Sequence, residues 1–111
     1  MRIFISLCLL FVLACSCAGV NPFDSRVAFD LDRTDFHPGD PIEVKLLYLK
    51  EEPGREYEAG VAAGIDEAPV DSQPIHSDTR SVMLTAPSPG VWTVVIREDG
   101  RMIAHRGITV E

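Results

Sequence analysis

The chain has 111 residues and a formal net charge of −7, from 17 acidic and 10 basic side chains. This length leaves room for one domain with one hydrophobic core. The acidic balance disfavours a nucleic-acid partner, because nucleic-acid-binding proteins concentrate Lys and Arg against phosphates, whereas here the arginines are scattered among Asp and Glu.

The first predicted element is a cleaved, helical signal peptide. Met1-Arg2 supplies a positive charge, and Ile3 to Ala14 is a run of twelve residues in which only Ser6 is polar. A membrane-spanning helix needs roughly 20 apolar residues, so the run is too short for a permanent anchor. The alternative is a buried N-terminal helix, which is disfavoured because the run has no amphipathic period.

The end of the apolar run carries a lipidation motif. Val12-Leu13-Ala14-Cys15 resembles the bacterial lipobox, in which a small residue precedes a cysteine that receives lipid. The resemblance implies a membrane anchor at Cys15, with Cys17 as the alternative. Because Ser16 and not Asp follows Cys15, it implies the outer membrane, facing the periplasm, in a diderm cell. Ordinary cleavage after Ala18 would instead leave a periplasmic or secreted protein.

The predicted organisation has three parts: the signal and lipidation region over residues 1–17, a linker over 18–25 and a β domain over 26–111. All three cysteines, Cys8, Cys15 and Cys17, fall in the first part. No disulfide is therefore available to the domain, and its fold depends on packing.

Apolar residues alternate through most of the domain, and Pro/Gly turns separate the alternating runs. The His37–Asp40 turn contains Gly39, which suits the positive φ of a type II turn. A helix competes only for the alanine-rich run from Tyr57, where two glycines and the period of two favour a strand. The predicted strands are Val27–Leu31, Ile42–Leu49, Tyr57–Ile65, the edge strand Gln73–Ser77, Ser81–Thr85, Val91–Arg97 and Met102–Val110.

The last two strands are predicted to form a hairpin. Asp99-Gly100 suits a type I′ turn, since both central residues tolerate positive φ. The expected cross-strand pairs are Glu98 with Arg101, Ile96 with Ile103, Val94 with His105 and Trp92 with Gly107. In this register the indole of Trp92 lies over the Gly107 backbone.

These strands predict an all-β fold, a small antiparallel immunoglobulin-like β-sandwich of about seven strands. The segments Phe36–Val44 and Pro89–Val94 resemble the early and late strands of bacterial immunoglobulin-like or fibronectin-like extracytoplasmic modules. The resemblance implies a binding, spacer or accessory role.

The sequence offers few groups for catalysis. His37, His76 and His105 lie in no recognisable motif, and there is no nucleophile elbow or phosphate-binding glycine loop, so we expect no enzyme activity and no cofactor. A soft metal site would join His105 with Met102 or Met83. Regular strand alternation puts residues 102 and 105 on opposite faces, which favours a packing or rim role for this histidine.

The leading hypothesis is a non-enzymatic envelope lipoprotein whose domain binds or positions another envelope protein through exposed edges or loops. The alternative is a small extracytoplasmic copper- or zinc-handling protein that uses His105 with a methionine or another histidine.

Overall fold

The structure, a computed structural model, describes residues 26–111. The predicted signal peptide, both lipidation candidates, Cys15 and Cys17, and the 18–25 linker lie outside the described residues.

The described chain is all-β, as the sequence predicts, and contains no helix between residues 26 and 111. It has eight strands, one more than expected, because a two-residue strand follows the first. The strands are β1 (Val27–Leu31), β2 (Asp35–Phe36), β3 (Pro41–Leu49), β4 (Tyr57–Ala62), β5 (Asp71–Ile75), β6 (Ser81–Thr85), β7 (Gly90–Glu98) and β8 (Arg101–Val110).

The strands form two sheets that share one core. The three-stranded sheet has the order β1-β3-β6, and the five-stranded sheet has the order β2-β8-β7-β4-β5. All neighbours are antiparallel except β2 and β8. Buried residues such as Phe29, Ile42 and Leu84 of one sheet and Val61 and Ile96 of the other belong to the same cluster. The core therefore lies between the sheets.

The prediction that β4 reaches Ile65 is wrong, because the strand ends at Ala62 and a turn follows. A loop over residues 63–70 folds back across the sheet, and the Val70 amide donates to the Val61 carbonyl at 2.9 Å. Gly60 permits this course, since a Cβ there would lie 3.0 Å from the Cβ of Pro69. The edge strand β5 then begins at Asp71 instead of Gln73.

The β7–β8 hairpin has the predicted turn. Asp99 and Gly100 have φ values of 50° and 83°, as a type I′ turn requires, and Glu98 pairs with Arg101. The remaining expected pairs are wrong because β8 contains a bulge after Met102. The observed pairs are Arg97 with Met102, Ile96 with Ala104, Val95 with His105, Thr93 with Gly107 and Trp92 with Ile108.

The physical reason for the shift is burial. Ile103 and Ala104 are adjacent, yet both lie in the core cluster, and regular alternation would turn one of them outward. The bulge accommodates both residues by leaving Ile103 without a direct partner.

The bulge also changes which β8 side chains lie on each face of the five-stranded sheet. Met102 and His105 pair with Arg97 and Val95, which are two residues apart on β7, so both lie on the outer face of the five-stranded sheet. The prediction that residues 102 and 105 take opposite faces is therefore wrong. Trp92 packs against the core on the inner face and does not cover Gly107.

Candidate functional site

The three residues considered for a metal site lie on two different surfaces. His105 is exposed and Met102 half-buried on the outer face of the five-stranded sheet. Met83 is 54% exposed and lies on the outer side of β6, in the other sheet, so the core separates it from His105. Within residues 26–111, no three His, Cys, Asp or Glu side chains are grouped to hold a metal ion.

The other two histidines lie at separate places on the surface. The His37 ring lies 3.3 Å from the Glu111 carbonyl oxygen, and the His76 ring lies 3.7 Å from the Glu51 carboxylate. Both are exposed, and neither is next to His105.

A buried carboxylate closes one end of the core. Glu98, the last residue of β7, is 1% exposed and accepts a 2.6 Å hydrogen bond from the Tyr57 hydroxyl. The Arg26 guanidinium donates to both carboxylate oxygens at 2.8 and 2.9 Å, and Arg101 donates at 2.9 Å. The Tyr57 hydroxyl in turn accepts from the Glu52 amide at 3.0 Å.

These contacts keep Glu98 ionised. The Tyr57 hydrogen bond, followed by those from Arg101 and Arg26, outweighs desolvation and lowers the pKa of Glu98 to about 2. Burial and the hydrogen bond to Glu98 raise the pKa of Tyr57. The pair therefore holds a charged acceptor and a neutral donor at ordinary pH, which is a structural arrangement.

A second buried charge fixes the 63–70 loop. Arg97 is 5% exposed, and its guanidinium donates to the carbonyl oxygens of Ile65 and Glu67 at 3.0 and 2.6 Å. A buried guanidinium needs hydrogen-bond acceptors, so these two bonds satisfy the arginine and position the loop together. The loop presents Ile65 and Val70 to solvent, at 38% and 60% exposure.

A groove of about 480 Å³ lies between this loop and the β7–β8 turn. Met102 and Ile65 supply apolar surface, while Glu58 and Glu67 supply carboxylates. Neither carboxylate forms an ion pair with another residue of the 26–111 segment. The described residues that line the groove include no Ser, Cys or His.

Sequence reasoning missed both buried charges. Arg97 is the last residue of the predicted strand and Glu98 the first residue of the predicted turn, and charged residues at such positions are usually solvated. The available signal was the apolar stripe of Trp92, Val94 and Ile96, which places Glu98 next on the inward face by the period of two.

Between residues 26 and 111 there is no helix of the length and hydropathy that crossing a membrane requires. No protein-family model, curated protein or solved structure matches the chain.

Proposed function

We propose that the chain is a non-enzymatic cell-envelope lipoprotein with an immunoglobulin-like sandwich that binds another envelope protein. The apolar leader and the Val12–Cys15 motif support export and lipidation at Cys15. This anchor is the proposed contact with the membrane, and the domain supplies the contact with the partner.

The connectivity supports the immunoglobulin-like part of the proposal. Sheets of order β1-β3-β6 and β8-β7-β4-β5, with antiparallel pairs, are what a Greek-key sandwich requires. In immunoglobulin domains a tyrosine near the start of the penultimate strand bonds back to the preceding corner. Here Trp92 takes that place, and its indole N–H donates to the Ser88 carbonyl at 2.8 Å. Val94 stands two residues later, where antibody domains carry a cysteine.

The observation that carries the binding role is the fixed 63–70 loop. Its exposed apolar side chains, Ile65 and Val70, sit on a backbone that Arg97 holds by two hydrogen bonds. An ordered loop loses little conformational entropy when a partner binds, so exposed apolar groups on it favour association. Asp66 and Glu67, both exposed, would select a partner with basic residues at the rim.

A pull-down from envelope membranes tests this role. The full chain, tagged at its C-terminus, should retain a specific envelope protein after mild extraction. The double variant Ile65→Ser/Val70→Ser should lose it. Leu47→Ser, which changes a 64% exposed residue on the other sheet, is the matched control and should retain it. Equal recovery with the loop variant, or no specific partner at all, would reject the proposal.

Metal handling is the second candidate, since the bulge puts Met102 and His105 on one exposed face. Titration of the chain with Cu(I) and Zn(II) should then reveal a tight site that His105→Ala removes. Loss of affinity with Met83→Ser would be inconsistent with such a site, because Met83 lies on the other sheet.

A further inference from the structure

A bulge in β3 turns two apolar side chains out of the three-stranded sheet. Leu46 and Tyr48 pair with consecutive residues of β1, so Leu47 has no partner of its own. The residues on either side, Leu46 and Leu49, contact the core. Leu47 and Tyr48 themselves are 64% and 42% exposed. Regular alternation from Leu46 would instead turn Tyr48 inward and Leu49 outward, so the bulge puts the two apolar groups together on the surface.

A lysine stands beside these two side chains. The Lys50 ammonium lies over the Tyr48 ring, 5.9 Å from its centroid, and forms no ion pair with another residue of the 26–111 segment. The next two carboxylates have other partners: Glu51 accepts from a backbone amide, and Glu52 pairs with two arginines. Lys50 therefore supplies an uncompensated positive charge. We call Leu47, Tyr48 and Lys50 the β3 patch.

The β3 patch lies where the leader joins the domain. The Lys50 amide donates to the Arg26 carbonyl at 2.7 Å, and Arg26 is the first described residue. Ten residues, 16–25, separate Arg26 from Cys15, and a fully extended chain of that length spans at most about 35 Å. A lipid on Cys15 would therefore keep this end of the domain close to the membrane.

We propose that the β3 patch rests in the headgroup region of the membrane that anchors the chain, because an exposed leucine, an exposed tyrosine and a lysine without a carboxylate partner meet beside the anchored end. This inference rests on the proposed lipidation of Cys15. Tyrosine is enriched at membrane interfaces, where its ring contacts apolar groups and its hydroxyl contacts water. Lysine lays its stem along apolar surface and keeps its ammonium among polar headgroups.

The anchor makes this small contact sufficient. A domain on a short tether meets its target at an effective concentration on the order of millimolar, so a contact too weak to recruit a free protein is still populated. The chain is acidic overall, so anionic lipid favours approach by a face with an uncompensated cation. A second copy fits less well, since it would bring two Lys50 ammonium groups together.

Fluorescence quenching by brominated lipid tests the contact. The full-length chain is reconstituted into vesicles of phosphatidylethanolamine and phosphatidylglycerol, brominated at the headgroup end of the acyl chains. Leu47→Trp should add emission that these vesicles quench, relative to the parent with Trp92 alone. Val91→Trp is the matched control and should stay unquenched. Val91 is 77% exposed and lies seven residues, about 23 Å along β7, from Glu98 at the anchored end.

Two added substitutions test the chemistry of the patch. In the Leu47→Trp background, Lys50→Glu should reduce the quenching, because a carboxylate is repelled by phosphatidylglycerol. Met83→Ser changes another exposed residue of the same sheet, paired with Glu43 in the middle of the β3–β6 ladder, and should leave the quenching unchanged. Quenching that Lys50→Glu leaves unaltered would overturn the assignment to the patch.

Flotation of the same vesicles keeps the two proposals apart. A chain that does not float with the vesicles has no anchor, which would overturn the lipoprotein and the patch contact together. A chain that floats but shows equal quenching for Leu47→Trp and Val91→Trp would retain the anchor and overturn the patch contact alone. Leu47→Trp emission that responds to the protein-to-lipid ratio and not to bromination would assign the patch to a protein contact and also overturn the inference.

Discussion

Glu98 links segments that are far apart in the sequence. Its carboxylate receives donors from Arg26, just before β1, from Tyr57, at the start of β4, and from Arg101, at the start of β8. β1 belongs to the three-stranded sheet and β4 and β8 to the five-stranded sheet, so the carboxylate joins both sheets at one end of the core. A buried charge is tolerated only with such partners, and loss of any one leaves it undercompensated.

This arrangement predicts an acid dependence of stability. Because the pKa of Glu98 falls from 4.5 to about 2 on folding, its contribution is complete above pH 4.5. It is lost as the pH falls from 4.5 through 2. Between pH 2 and 4.5, the free energy of unfolding measured with denaturant should depend less steeply on pH in Glu98→Gln than in the parent protein. The difference in slope corresponds to at most about one bound proton per molecule. Tyr57→Phe should be intermediate, since it removes the largest cause of the shift. If the free energy of unfolding had the same slope against pH in the parent, Glu98→Gln and Tyr57→Phe, Glu98 would not be the source of the acid dependence.

The role of Arg97 in holding the 63–70 loop leads to a second prediction. Arg97→Met keeps most of the aliphatic stem but removes the donors to Ile65 and Glu67, so the 63–70 loop should open more often. Amide hydrogen exchange at Val70, whose N–H bonds Val61, should become faster, while exchange at Val95 in the centre of β7 should stay as in the parent. Unchanged exchange at Val70 would mean that the loop holds its position without the arginine.

The β7–β8 hairpin shows how far the sequence determines an element. Asp99-Gly100 correctly predicts the turn, because few residue pairs tolerate two positive φ values. It does not predict the register beyond the first pairs. The bulge at Ile103 follows from the burial of Ile103 and Ala104 together, which is a property of the assembled core. For the same reason, the placement of His105, Met102 and Gly107 on one face was not predictable.

Two glycines in this hairpin should respond differently to alanine. Gly100→Ala places a side chain at φ 83° and should lower the free energy of unfolding by about 1–2 kcal/mol. The methyl group of Gly107→Ala would lie in open space at an ordinary φ. This variant should raise the free energy of unfolding by about 0.4–1 kcal/mol. Urea denaturation of the two variants and the parent measures both changes. Equal destabilisation would show that Gly107 has a structural requirement within one chain.

The whole molecule depends on one core between two sheets, without a disulfide in the described part. The sequence predicted this well, since alternating runs identify the inward residues of most strands. It missed the short β2, because two residues carry no periodicity, and it misplaced the end of β4, because loop packing on Gly60 overrides the pattern. The groove beside the 63–70 loop depends on that same packing and so was not predicted either.

A protein with one core should unfold in a single transition, and substitutions at the centre of that core should lower its stability most. Ile96 is fully buried, and Ile96→Ala should cost about 2–5 kcal/mol through lost burial and a residual cavity. Val91 is 77% exposed on the same strand, and Val91→Ala should change stability by less than about 0.5 kcal/mol. Thermal unfolding followed by near- and far-UV circular dichroism should give coincident curves for each. Two separate transitions would mean that the sheets unfold independently.

The decisive experiment for the proposed envelope lipoprotein is to measure the intact mass of the protein purified from its membrane and to map its N-terminus. We expect a chain that begins at Cys15 and carries the added mass of lipid on that residue. A chain that begins at Gly19 without lipid, or one that retains Met1, would contradict it.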